Sequence, residues 1–168
     1  MHETAQDMIE LEELLKQSIE QSGPFLRSSF EMPEKSLSAA QLCRALDGIQ
    51  TVAIATVTAK GEPRVAPIGA FLYRGHFYIP TTMESARVRH VRRRPGVSLT
   101  RFNGIDFAVI VHGDAVVCGE EDSEFETLER IHRELTGSTV LEWGTGAFIR
   151  VDASVCYTFA RNPDQFQN

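Results

Sequence analysis

The middle of the chain alternates runs of β-branched residues with very short turn signals, and this pattern most constrains what it can fold into. Residues 51–58 (Thr-Val-Ala-Ile-Ala-Thr-Val-Thr) read as a strand. Ala59-Lys60-Gly61-Glu62 is a turn, and residues 63–73 read as the returning strand. Arg74-Gly75 makes a second tight turn before a third strand at 76–80, so the three form a meander. A fourth strand is expected at 97–102, a fifth at 107–118 after the Asn103-Gly104 turn, and a last one at 147–159. Such short connections allow antiparallel neighbours and exclude the βαβ alternation of a doubly wound sheet.

Helical periodicity brackets these strands. Met8, Leu11, Leu14, Leu15 and Ile19 predict an amphipathic acidic helix over 5–21, stopped by Gly23-Pro24. Residues 22–36 read as a linker in which Phe25, Leu26, Phe30 and Met32 are available as anchors. Ser38 with Gln41 has capping-box spacing and opens a second helix ending near Asp47. A short basic helix is expected over 85–94, with Val88 and Val91 facing the sheet and Pro95-Gly96 ending it. A third main helix over 124–135 is expected to be capped by Asp122-Ser123, with Glu126 in the box position and Phe125, Leu128, Ile131 and Leu135 as its apolar stripe. Trp143, in a turn that precedes the last strand, reads either as core, the preferred reading, or as a side chain that caps a bound ring from a partner subunit. The tail after Pro163 is expected to be irregular. The fold class is therefore mainly β with helices (α+β): a six-stranded antiparallel closed or split barrel with an N-terminal helical extension.

Charge decides between partners. The net charge is −6, which disfavours nucleic acid for the chain as a whole. Yet residues 81–101 hold six arginines (87, 89, 92, 93, 94 and 101) against one acid, Glu84. No stacking aromatics interleave with them, as a single-strand binder would need. On a helix Arg87, His90 and Arg94 share one face, and Arg89, Arg92 and Arg93 another. Most of these arginines read as a solvated face that offsets the acidic first helix. Arg87, followed by Arg89 and Arg92, is the candidate for holding an anion.

The histidines at 76, 90, 112 and 132 have no metal-ligand spacing and read as structural or surface residues; no metal site is expected. Cys43, Cys118 and Cys156 form no Cys-x-x-Cys pair and read as reduced, buried thiols. With no basic-then-apolar leader at the start and no stretch of membrane-spanning length, the expected setting is cytoplasmic, without a membrane partner.

Three segments in this order resemble the pyridoxamine 5'-phosphate oxidase-like, flavin-binding split-barrel superfamily: Ala55 through Pro67, Tyr78-Ile79-Pro80-Thr81, and Ser85 through Leu99, with Phe148-Ile149-Arg150-Val151 fitting its final strand. The resemblance implies residues 1–36 as a helix and linker and 37–168 as an FMN-binding-like split-barrel domain. It implies a homodimer with a flavin-type cofactor, FMN or the deazaflavin coenzyme F420, in a groove between subunits. Arg64, Val65, Ala66 and Pro67 would line the ring and ribityl chain, and Thr81, Ser85 and Arg87 would hold the phosphate. Arg92 would assist with an anionic tail. A planar guanidinium, two hydroxyls and a helix start suit a phosphate chemically.

Departures are also legible. The vitamin-processing oxidase itself has Ser-Arg-Lys where this chain has Ser85-Ala86-Arg87, and a lysine where this chain has Gly69. Its C-terminal Arg and Trp pattern is missing, which argues against pyridoxine 5'-phosphate as substrate. The resemblance implies hydride transfer between the cofactor and a small molecule, with no catalytic side chain named by the sequence. Two alternatives stay open: a non-catalytic flavin or haem carrier or sensor, and an interaction module whose arginine helix grips an acidic partner.

Overall fold

The structure, a computed structural model, describes residues 2–167. Helices α1 (Ala5–Gln21), α2 (Pro24–Ser29) and α3 (Ala39–Ala45) precede strands β1 (Gln50–Val57), β2 (Pro63–Tyr73) and β3 (His76–Thr82). Helix α4 (Ala86–Arg93) leads to β4 (Gly96–Asn103) and β5 (Phe107–Gly119). Helix α5 (Phe125–Thr136) and a 3-10 turn (Val140–Glu142) lead to β6 (Gly146–Ala160). The strands close in the order β1-β2-β3-β6-β5-β4, and every pairing is antiparallel. The fold class read from the sequence is therefore the one observed.

Two apolar layers hold the barrel. Its interior is filled by Val52 and Ile54 from β1, Phe77 and Ile79 from β3, Leu99, Val109, Val111, Ile149 and Val151. Helices α1, α3 and α4 close that interior with Leu11, Leu15, Leu42, Leu46, Val88 and Val91. A second layer lies outside β3 and β6, where Phe71, Tyr78 and Phe148 meet Phe125, Leu128 and Ile131 of α5. Successive residues of β3 thus point to opposite cores, as a strand buried on both faces requires.

Local chemistry explains the turns. Arg74 and Gly75 both take positive φ (51° and 79°), the two-residue hairpin geometry that fits the twist of β2 and β3. The long β5–β6 ladder slips register between His112 and Gly113. A Cβ at Gly113 would lie 2.1 Å from the Asp152 carbonyl oxygen, so the bulge admits only glycine.

Several expectations are corrected. Residues 22–36 are not a plain linker: Gly23-Pro24 ends α1 but also starts α2, with Gly23 as N-cap and proline in the first turn, where its missing N–H costs nothing. Of the anchors named there, Met32 is buried, Phe30 packs on Phe159, and Phe25 is exposed. The N-cap of α5 is Glu124, without a side-chain bond; the Asp122 carboxylate instead accepts the Gly119 amide at 2.7 Å, so no capping box forms with Glu126. Leu135 is exposed, and His132 takes the inward position. Trp143 is half exposed, edge-on to His132, and outside the core. The tail carries a 3-10 turn, Pro163–Phe166. The capping box of Ser38 and Gln41 forms as expected. Among the described residues no helix is long and apolar enough to cross a membrane.

Helix α1 is fixed to the β2–β3 turn by Asp7. Its carboxylate accepts from Thr4 at the helix start and from Nε and Nη2 of Arg74, both at 3.2 Å. The Arg74 guanidinium, then the Thr4 amide, holds the Asp7 carboxyl down from the ordinary 3.8 to about 2. A depressed folded-state value stabilises the fold above the ordinary carboxylate range, and that contribution is lost as pH falls through about 2. Asp7→Asn should lower the melting temperature near neutrality, and the gap to the parent should close as the pH of the melts falls toward 2. A gap that stays constant with pH would show that the pair is not the source.

Candidate functional site

The β1–β2 register places Thr56 opposite Arg64 and Ile54 opposite Ala66, so these four share one face. Helix α4 approaches them. Its Val88 and Val91 sink into the barrel core, and Ala86, Arg87 and His90 are left toward β1 and β2. Between the three elements lies a cavity of about 390 Å³, lined from β1 by Ile54 and Thr56, from β2 by Arg64, Val65 and Ala66, and from α4 by Ala86, Arg87 and His90.

The electrostatics are one-sided. Among the described residues Arg87 makes no hydrogen bond or ion pair, and its partial burial pushes its guanidinium below the ordinary arginine range. A cation withdrawn from water without a counter-charge is unfavourable by itself and becomes favourable when an anion enters. Arg64 pairs with Glu62 at 2.8 Å at the exposed end of the hairpin, so its charge is partly met already. His90 Nδ1 lies 2.9 Å from Thr56 Oγ1. Among the described residues no carboxylate lines the cavity.

The other residues expected at this site fall nearby but are engaged differently. Thr81 Oγ1 donates to Ser85 Oγ at 3.1 Å, and Ser85 Oγ accepts the Val88 amide at 3.2 Å as the N-cap of α4. Both hydroxyls therefore hold the start of the helix that carries Arg87, and neither lines the cavity. Pro67 pairs with Ala53 and is exposed; Arg92 is exposed, with Nη2 3.2 Å from the Met83 sulfur. So Arg64, Val65, Ala66 and Arg87 come together, whereas Pro67, Thr81, Ser85 and Arg92 do not. Sequence reading missed Thr56 and His90. The signal for His90 was its place three residues after Arg87, on the same helical face.

The outer face of the sheet is the second notable surface. Pairing aligns Val65, Ala55, Ser98, His112 and Val155 in one row across five strands, and Pro67, Ala53, Thr100, Ile110 and Tyr157 in the next. None of these belongs to either buried core, and Val65 is 72% exposed. A concavity of about 390 Å³ opens on this face, where His112 Nδ1 lies 2.7 Å from Ser98 Oγ. Val65 both stands in the first row and lines the Arg87 cavity, so cavity and face adjoin.

Comparison with known proteins returns one family. The sequence profile described as pyridoxamine 5'-phosphate oxidase matches residues 39–154, well over half the chain. No curated protein matches. Among solved structures, a conserved hypothetical protein from Mycobacterium tuberculosis superposes with a TM-score of 0.63 at 19% identity, covering 79% of this chain and 91% of its own. An F420 reductase gives 0.53 at 14% identity, with 66% and 91% covered. A heme binding protein from Mycobacterium smegmatis gives 0.54 at 11% identity, with 74% and 58% covered. At these identities the structural likeness speaks to the fold.

Proposed function

Because this chain belongs to the pyridoxamine 5'-phosphate oxidase family, we propose that it is a flavin- or deazaflavin-dependent oxidoreductase whose Arg87 cavity takes the cofactor's anionic group. The observation that carries the reading is Arg87 itself: a partly buried guanidinium with no counter-charge among the described residues, facing a cavity that also holds Arg64 and His90. The residues fit FMN or coenzyme F420 in charge and hydrogen-bonding capacity. Bound there, such a cofactor would supply hydride transfer to or from a small-molecule substrate. The chain's own part is to neutralise the anion, to hold α4 in place through Ser85 and Thr81, and to present the β2 backbone beside the cavity.

The working unit in this reading is a homodimer. The uncovered rows that run from Val65 and Pro67 to Val155 and Tyr157 form a continuous, mostly apolar face interrupted by Ser98, Thr100 and His112, and a second copy seated there would border the cavity at Val65. Ile110 lies half-buried near the middle of that face. Ile110→Glu should turn a dimer into a monomer by light scattering and should weaken cofactor binding with it. A parent chain that is monomeric at working concentration would remove the dimer from the proposal. Three free, buried cysteines, with thiols pushed upward by burial, suit a reducing cytoplasm.

A second reading keeps the binding and drops the turnover: a carrier or sensor of a flavin or of haem. Its support is that the described residues lining the cavity include no carboxylate, thiol or phenol to serve as a general acid or base. Titrating the purified apo-protein with FMN, F420 and haem, followed by absorbance and by reduction assays, separates the two. Binding with turnover supports the enzyme, binding without it the carrier, and no binding of FMN or F420 rejects the proposal.

A further inference from the structure

His90 lines the cavity and has no task in the fold beyond one hydrogen bond. Its Nδ1 meets Oγ1 of Thr56, a residue only 4% exposed, and that bond fixes the orientation of the ring. The other ring nitrogen has no hydrogen-bond partner among the described residues. The charged residues that line the cavity with the ring, Arg64 and Arg87, are both cationic. Arg87 shares its helical face, and Arg64 faces it from β2, paired with Glu62 at the hairpin end. Arg94 follows one turn later and donates its backbone amide to the His90 carbonyl, with its side chain turned to the Ala59 carbonyl. β1 contributes Ile54 and Thr56, neither titratable. Asp114 of β5 lines the separate outer-face concavity that reaches Thr56 from the other side.

Resting on the reading that this cavity binds an anionic cofactor group, we propose that His90 is a proton-linked positioning residue, which in its charged form adds a third cationic donor beside Arg64 and Arg87. A phosphate placed between the ring, Arg64 and Arg87 attracts a positive charge on the ring, so anion binding and protonation of His90 favour each other. Reciprocity follows from linkage: the cavity takes the anion together with a proton, and affinity is higher on the acid side. This makes good, one turn further along α4, the basic group absent at Ala86. The hydrogen bond to Thr56 alone would be satisfied by any ring or amide that reaches it, so a purely structural His90 predicts none of this.

The test measures FMN affinity by fluorescence quenching for the parent and for His90→Gln, from about pH 5.5 to about pH 8, the range where histidine charge changes. The phosphate monoester itself gains charge near pH 6, in the opposite sense, so the informative quantity is the ratio of the two dissociation constants at each pH. We expect His90→Gln to bind about tenfold more weakly at the acid end and within about twofold at the alkaline end, the scale of a one-unit linkage. Riboflavin, which lacks the phosphate, should show no such trend. As a readout independent of the variant, saturating inorganic phosphate should move the His90 ring titration of the parent upward in NMR. A ratio that does not change with pH, or a ring titration unmoved by phosphate, overturns the inference even if FMN binds. Absence of FMN and F420 binding at every pH is instead a failure of the cofactor reading, and the NMR measurement still decides the role of His90.

Discussion

Arg87→Ala should weaken cofactor binding by about 1.5–3 kcal/mol, roughly ten- to 150-fold in dissociation constant, the scale of a lost charge-assisted hydrogen bond. Isothermal titration with FMN, and in parallel with F420, measures it. The size of the effect follows from the surroundings of Arg87: a cation partly withdrawn from water, with no carboxylate among the described residues to meet it. Arg64→Ala should cost less, because Glu62 already answers part of that charge at 2.8 Å. Arg93→Ala and Arg92→Ala should change affinity little, since both side chains are exposed and neither lines the cavity. The melting temperature of Arg87→Ala should not fall, because removal of an unpaired, half-buried cation takes nothing from the folded state. Equal losses for Arg87→Ala and Arg93→Ala would mean that the cluster acts as a diffuse field, and the cavity assignment would go with it.

What the sequence could and could not show follows the reach of its signals. The six strands were legible because β-branched runs and Gly-containing turns are local: the turn at Arg74 and Gly75 falls where the pattern places it, and β3 runs two residues past its expected end, to Thr82. The cap of α3 was legible for the same reason. Errors arose where a distant partner decides. Asp122 looks like a helix cap, but the Gly119 amide takes its carboxylate. Leu135 and His132 exchange places on α5 because the aromatic layer that receives the helix, Phe148 among it, lies on β6 and cannot be seen from α5's own sequence. At the candidate cavity, Arg64, Val65, Ala66 and Arg87 are among the residues the sequence singles out, while the hydroxyls of Thr81 and Ser85 hold the start of the helix and do not line it. Thr56 was invisible as a site residue: inside a strand of β-branched residues it reads as one more, and only the β1–β2 register and the approach of α4 bring it to His90.

That aromatic layer supplies the opposite experiment to Arg87. Phe148→Ala should destabilise the protein by about 3–5 kcal/mol, the usual cost of a phenylalanine removed from a closed core. Phe148 is fully buried, pairs with Pro80 of β3 and Cys118 of β5, and sits with its ring centroid 5.7 Å from Phe125 and 6.1 Å from Phe71. Three strands and α5 therefore meet on one side chain, and the void left by alanine cannot be closed by any one of them moving. In a chain of this length the loss should lower the melting temperature by about 10 °C or more. Phe148→Leu, which keeps most of the volume, should cost about 1 kcal/mol. The cavity between β1, β2 and α4 shares no lining residue with this layer, so molecules of Phe148→Ala that remain folded should bind cofactor as the parent does. A marked loss of affinity in Phe148→Ala at a temperature where it is still folded would show that the α5 layer and the cavity are mechanically coupled, and the separation of scaffold from site drawn here would be wrong.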